Sequence, residues 1–174
     1  MKKLFLILLA GTLFSCSNKQ KAADGAMKDT TASAALDYPY TIKQPDNWEM
    51  GSTANTLVAL KALKAWETGK MDESMQYFAD SVYLEFDRLD KKMPKDSVKV
   101  LLSDIWSDFK SLNLKMQDWE SVISKDKEKE WVTVWYIQSW EDAKGVRDSM
   151  AVVNDFQLKD SKIMRFSEYT RIFH

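Results

Sequence analysis

Asn154 and Glu168 are polar residues where the surrounding pattern asks for apolar ones. Val146, Met150, Val152, Phe156 and Leu158 hold the even positions of one stretch together with Asn154. In the next stretch, Met164, Phe166 and Ile172 share a parity with Glu168. Alternation with a period of two puts such residues on one face of a strand, so an amide and a carboxyl are expected inside the fold. An inward amide and carboxyl suit two kinds of work: orienting a ligand at the bottom of a pocket, or moving a proton in acid–base chemistry. They are equally able to satisfy each other or nearby backbone groups, the usual fate of buried polar atoms. Trp66, Phe86, Trp106 and Met150 are the expected pocket walls, unless these aromatics simply fill the core. Asp87, Glu168 and Tyr83 are the candidate catalytic groups. In a regular strand Asp87 faces away from Phe86, so it reaches a pocket only if a bulge re-aims it.

Other chemistries find little support. The sole histidine is His174, the last residue. The scattered Asp87, Asp90 and Asp96 lack the glycine and the alternation of a calcium loop, and no zinc pattern exists, so no metal site and no cofactor are expected. Five glycines form no phosphate-cradling motif. Ser107 to Lys110 has a serine–lysine spacing used in some acyl transfers, but Ser124 to Lys127 has it too, which is what chance gives. The formal net charge is −1, and no basic excess points to nucleic acid.

The only cysteine, Cys16, can form no intramolecular disulfide. It follows Lys2, Lys3 and an apolar stretch from Leu4 to Phe14 that is too short for an ordinary membrane-spanning helix. Leu13-Phe14-Ser15-Cys16 resembles a bacterial lipobox, so residues 1–15 are expected to be a lipoprotein signal peptide and Cys16 the lipidated first residue of a 159-residue mature chain. Each buried lipid methylene contributes about 0.8 kcal/mol, so two or three acyl chains, palmitate among them, tether a protein almost permanently. The expected location is the bacterial cell envelope, with the soluble domain in the periplasm. Residues 16–36 are small and polar without aromatics, the composition of a flexible linker. Residues 37–50 carry two prolines and three aromatics and are expected to form an extended arm.

The elements that must hold Asn154 and Glu168 start near Gly51. Ser52 or Thr53 caps a helix with apolar positions Leu57, Leu60, Leu63 and Ala59, Ala62, Trp66, ended by Gly69. A short helix over "MDESMQYF" precedes a strand in which Val82, Leu84 and Phe86 alternate with Tyr83, Glu85 and Asp87. After Pro94, Val98, Leu101, Leu102, Ile105, Trp106 and Phe109 form the stripe of a third helix. Four strands follow, near 113–124, 130–141, 146–158 and 162–172. Helices first and an antiparallel meander afterwards argue for an α+β domain over 51–174.

"ALKAWETGKMDESMQYFADSVYLEF" and "NDFQLKDSKIMRFSEY" resemble the nuclear transport factor 2-like superfamily, which includes SnoaL-like cyclases and ketosteroid isomerases. Gly69, Phe78-Ala79-Asp80 and the closing Asp-Ser-Lys-Ile fall at the superfamily's spacing, with Ser161 where glycine is usual. The resemblance covers residues 50–174 and implies a curved antiparallel sheet wrapped around three N-terminal helices, a cone-shaped roll. It also implies where isomerase groups would sit: the hydroxyl-donating tyrosine at Ala62, the carboxylate base at Phe86 and the protonated acid at Asn154. Alanine and phenylalanine titrate no proton, so isomerase chemistry is not expected.

The resulting expectation is a membrane-anchored lipoprotein whose domain binds a small apolar ligand or a partner protein without catalysis. Two alternatives stand beside it: a SnoaL-like cyclase, dehydratase or isomerase using a pocket carboxylate, and a structural dimeric envelope module. An open apolar cavity with a convergent carboxylate marks the enzyme, and a filled one the structural module. Residues 131–140 are apolar on both faces, Trp131, Trp135 and Ile137 on one and Val132, Val134, Tyr136 and Trp140 on the other. A strand of that kind is covered on both sides, so a homodimer through the outer sheet face is expected, the alternative cover being the arm around Tyr38 to Trp48.

Overall fold

A computed structural model describes residues 39–41 and 47–173. The expected signal peptide, Cys16, the expected linker, half of residues 37–50 and His174 therefore lie outside the described residues. The chain divides into two units, Met1–Thr41 and Ile42–His174, and the site lies in the second.

The second unit is α+β. Its elements run β1 (Trp48–Met50), α1 (Thr53–Glu67), α2 (Met71–Met75), β2 (Phe78–Phe86), β3 (Leu89–Pro94), α3 (Lys95–Ser107), β4 (Phe109–Ser124), β5 (Glu130–Asp142), β6 (Arg147–Lys159) and β7 (Lys162–Ile172). The strands make one curved seven-stranded sheet in the order β1-β4-β5-β6-β7-β2-β3. Every pairing is antiparallel except β2 with β7, which is parallel.

Ser52 caps α1 by accepting from the Ala54 N–H at 3.1 Å. The helix ends in a Schellman arrangement. Gly69 takes a φ of 71°, its N–H donates to the Trp66 carbonyl at 2.9 Å, and the Lys70 N–H donates to the Ala65 carbonyl at 2.8 Å. A Cβ at Gly69 would also lie 2.9 Å from the Trp106 ring, so this joint needs glycine twice over. The core-facing side of α1 draws on both expected apolar sets: Ala59 and Ala62 from one and Leu63 from the other are buried, with Ala65, while Leu57 is half exposed. Small side chains let the helix approach the sheet closely. Glu67, also buried, fastens α1 to β4 by accepting from the Leu114 N–H at 2.9 Å.

Two expectations need correction. The third helix stops at Ser107, and Phe109 opens β4, where its ring packs 6.0 Å from Trp140. Residues 89–94 form an unforeseen edge strand, since Asp90, Lys91 and Lys92 hide any alternation; lysines and a terminal proline suit an edge that must not recruit other strands. Part of the arm, Trp48–Met50, is a strand paired with β4 on the opposite edge. In the β6–β7 turn, Asp160 and Ser161 both have positive φ, 51° and 56°, the mirror-image turn geometry that favours glycine.

Candidate functional site

β5, β6 and β7 point alternate side chains into the hollow of the sheet. Val132, Val134, Tyr136 and Gln138 do so from β5; Val152, Asn154, Phe156 and Leu158 from β6; Phe166 and Glu168 from β7. The register sets Asn154 between Val134 and Glu168. α1 and α3 cover this hollow, with Ala62, Leu63 and Trp66 from the first and Leu101, Leu102 and Ile105 from the second. What they leave uncovered is a cavity of about 410 Å³, within the size range of small-molecule sites. Phe156 and Phe166 stack in its wall at 5.1 Å, and Phe86 packs on Phe166 at 5.9 Å.

A short polar chain crosses this apolar surface. With the Asn154 amide oriented to satisfy both neighbours, its Oδ1 accepts from the Tyr136 hydroxyl at 2.9 Å. Its Nδ2 then donates to Glu168 Oε2 and to the Val153 carbonyl, each at 3.2 Å. Asn154 and Tyr136 are almost wholly buried, at 0% and 1% exposure. Burial raises the Tyr136 phenol well above its ordinary value, helped by the nearby Glu168 charge. Burial alone pushes the Glu168 carboxyl up to about 7. Water is a better solvent for a carboxylate than an apolar wall is, so the proton is retained until the pH approaches neutrality.

Of the expected pocket residues, Trp66, Phe86, Met150, Asn154 and Glu168 line the cavity, and so do two of the three isomerase-equivalent positions already counted among them together with the third, Ala62. Trp106 is not among the lining residues; its ring packs against Gly69 at the α1–α2 joint. Tyr83 is also corrected. It lies on the outer face of the sheet, where its hydroxyl donates to Asp90 at 2.5 Å and Arg165 covers its ring at 4.7 Å. That hydrogen bond holds its phenol above the ordinary range. Asp87 does reach the cavity, though not through a bulge: the strand ends at Phe86, and a φ of 51° turns Asp87 and Arg88 onto the rim, where both are exposed.

Tyr136 and Gln138 also line the cavity and are not among the expected site residues. Tyr136 reads as one more apolar position of its strand, but Gln138 interrupts the parity of Val132, Val134, Tyr136 and Trp140 as Asn154 interrupts its own, a signal that could have found it. Among the described residues no three His, Cys, Asp or Glu side chains converge as metal ligands, and no helix is long and apolar enough to cross a membrane.

No protein-family model matches the chain, and no curated protein matches it in sequence. Solved structures do match in fold. An NTF2-like protein from Anabaena variabilis aligns with a TM-score of 0.58 and 16% identity over 72% of this chain and 96% of its own. AusH from Aspergillus nidulans aligns with a TM-score of 0.57 and 15% identity, covering 71% and 87%. An LEH-like epoxide hydrolase from M. tuberculosis aligns with a TM-score of 0.54 and 15% identity, covering 69% and 84%. The fold is therefore the curved-sheet fold of these NTF2-like neighbours, and identities this low carry the fold alone.

Proposed function

We propose that this domain binds a small, mainly apolar molecule in the cavity between sheet and helices, with Asn154 and Glu168 as polar contacts and without catalysis. The carrying observation is that large side chains, available in number, leave about 410 Å³ open between mainly apolar walls, which speaks for a ligand and against a structural module. The inward carboxyl, the mark expected of an enzyme, belongs to the second reading. A purely structural module would gain stability by filling that space. Native mass spectrometry of the purified protein tests the reading: a co-purifying small molecule released by Asn154→Ala supports it, and an empty protein that takes up no apolar probe counts against it.

A second reading is favoured by one observation, the Glu168 carboxyl raised to about 7 in a cavity, a common mark of acid–base catalysis. Glu168 would act as the acid and Asp87, from the rim, as the base. One fold neighbour is described as an epoxide hydrolase, which lends this reading weight. Binding is preferred because a general base must lie within hydrogen-bond reach of the proton it takes, whereas Asp87 is exposed on the rim, the isomerase-equivalent positions hold Ala62 and Phe86, and the Tyr136 phenol, raised well above its ordinary value, does not exchange its proton near neutral pH. A bell-shaped rate profile between about pH 5 and 8, abolished by Glu168→Gln or Asp87→Asn, would establish the enzyme.

The proposed setting is the bacterial envelope, with Cys16 lipidated and the domain in the periplasm. Metabolic labelling with a fatty-acid analogue should mark the parent and not Cys16→Ser; an unlabelled parent removes the tether. The half-buried outer row Trp131, Trp135 and Ile137 supports a homodimer through the outer sheet face, and a monomer in light scattering at about tens of micromolar argues against it.

A further inference from the structure

Gln138 is 3% exposed and lines the cavity, yet its amide makes no side-chain hydrogen bond among the described residues. A buried amide normally finds a partner, so this one is available to whatever fills the space. It lies far from the other polar point. Gln138 pairs with Met150 on β6, whereas Glu168 pairs with Asn154. They are thus four residues apart along the sheet and two strands apart across it, on the order of 15 Å between backbones. The polar chain is also directional. Tyr136 donates to Asn154, and Asn154 donates to Glu168 Oε2, so the carboxyl proton is left on Oε1.

We propose that the cavity selects an elongated, uncharged molecule with a hydrogen-bond acceptor placed on Glu168 Oε1 and a second polar group, at the other end, placed on the Gln138 amide. The inference rests on the binding reading above and names its ligand class. A carboxylate ligand would meet Glu168 with no cation on the inner wall to offset it. The charged groups around the cavity are few: Asp87 and Arg88, from the β2–β3 turn, are exposed on the rim, β5 offers only the neutral Tyr136 phenol, and α1, α2 and α3 contribute none to the lining. The raised Glu168 carboxyl supports the same choice, since it keeps a proton to donate at mildly acidic pH.

The test uses the full chain carrying Cys16→Ser and the fluorescent probe 1-aminoanthracene, displaced in turn by decan-2-one, decane-2,9-dione, decylamine and decanoate. At pH 6 the ketones should displace the probe at least tenfold more effectively than decanoate or decylamine. Raising the pH to 8 should weaken the ketones about tenfold, because only the protonated fraction of Glu168 donates. Glu168→Gln should keep ketone binding and lose its pH dependence. Gln138→Leu should erase the advantage of the diketone over the monoketone and leave the monoketone unchanged. If decylamine at pH 8 is the best displacer and Glu168→Gln removes it, the ligand is an amine paired with a carboxylate, which overturns this proposal and leaves the binding reading intact. A diketone preference that survives Gln138→Leu overturns the second polar contact. If no compound displaces the probe and neither substitution alters its binding, the cavity is not a ligand site and both readings fall.

Discussion

Ser167 and Glu168 are consecutive residues that face opposite sides of one sheet, and the carboxyls at these two places behave in opposite ways. On the outer face Ser167 donates to Glu85 at 2.5 Å, and Arg165 grips the same carboxylate through Nε at 2.7 Å and through Nη2. Arg165 first, then Ser167, holds the Glu85 carboxyl below its ordinary range. One residue further on, Glu168 has one donor, Asn154, no cation, and a carboxyl raised to about 7. The two glutamates share chemistry and neighbouring strands. The difference lies in what the sheet's two faces offer: cations and water outside, hydrocarbon and one amide inside. The inner face therefore stores a proton at neutral pH and the outer face stores a charge.

The largest expected effect comes from abolishing the inner carboxyl. A group whose folded pKa lies above its unfolded one stabilises the fold fully below the unfolded value, about 4.5, and loses that contribution as pH rises through about 7. Glu168→Gln should remove this slope and leave the variant more stable than the parent at pH 8 by up to about 3 kcal/mol. Urea unfolding of both proteins from pH 4.5 to 8 gives the difference directly. Parallel curves would mean that Glu168 is ionised throughout and that the two faces do not differ.

Next in size is the polar chain that makes the inner face more than an oily wall. Asn154→Leu leaves the Tyr136 hydroxyl buried without its partner and Glu168 without its donor, at a cost of about 2 kcal/mol. Adding Tyr136→Phe should recover part of that loss, because it deletes the stranded hydroxyl. A double-mutant cycle by denaturant unfolding measures the coupling; strictly additive losses would show that the chain is a geometric coincidence.

The two faces were unequally legible in the sequence. Asn154 and Glu168 stood out because each interrupts an apolar parity, and the parity survives folding. Tyr83 was separable by the same logic, since Val82 and Leu84 leave it on the other side. It remained a candidate on chemistry alone, and the strand sends it outward to Asp90 and Arg165. Tyr136 carried no such mark, because it reads as one more aromatic in a strand apolar on both faces, whereas Gln138 did carry it, interrupting Val132, Val134, Tyr136 and Trp140. Asp87 depended on where the strand ended, and one residue beyond Phe86 a change of φ, rather than alternation, decides direction. Trp106 sat on the apolar stripe of α3, yet what it touches depends on the α1–α2 joint, which no periodicity within α3 encodes.

The smallest expected effect tests the outer face and runs the opposite way with pH. Arg165→Met keeps much of the stem that covers Tyr83 but removes the charge on Glu85. Both partners of this pair are about one third exposed, 35% and 31%, so solvent screens it and the loss at pH 7 should be only about 1 kcal/mol. Glu85 is a lowered carboxyl, so its contribution is present above the unfolded value and disappears as pH falls through the lowered folded one. The gap between parent and Arg165→Met should therefore be widest near neutrality and should close toward pH 3, where Glu168→Gln has its smallest effect as well. Thermal melts at pH 3 and pH 7 decide the matter. A gap of equal size at both would mean that Arg165 acts through packing on Tyr83 alone, and the outer face would then owe its difference from the inner one to solvent rather than to the ion pair.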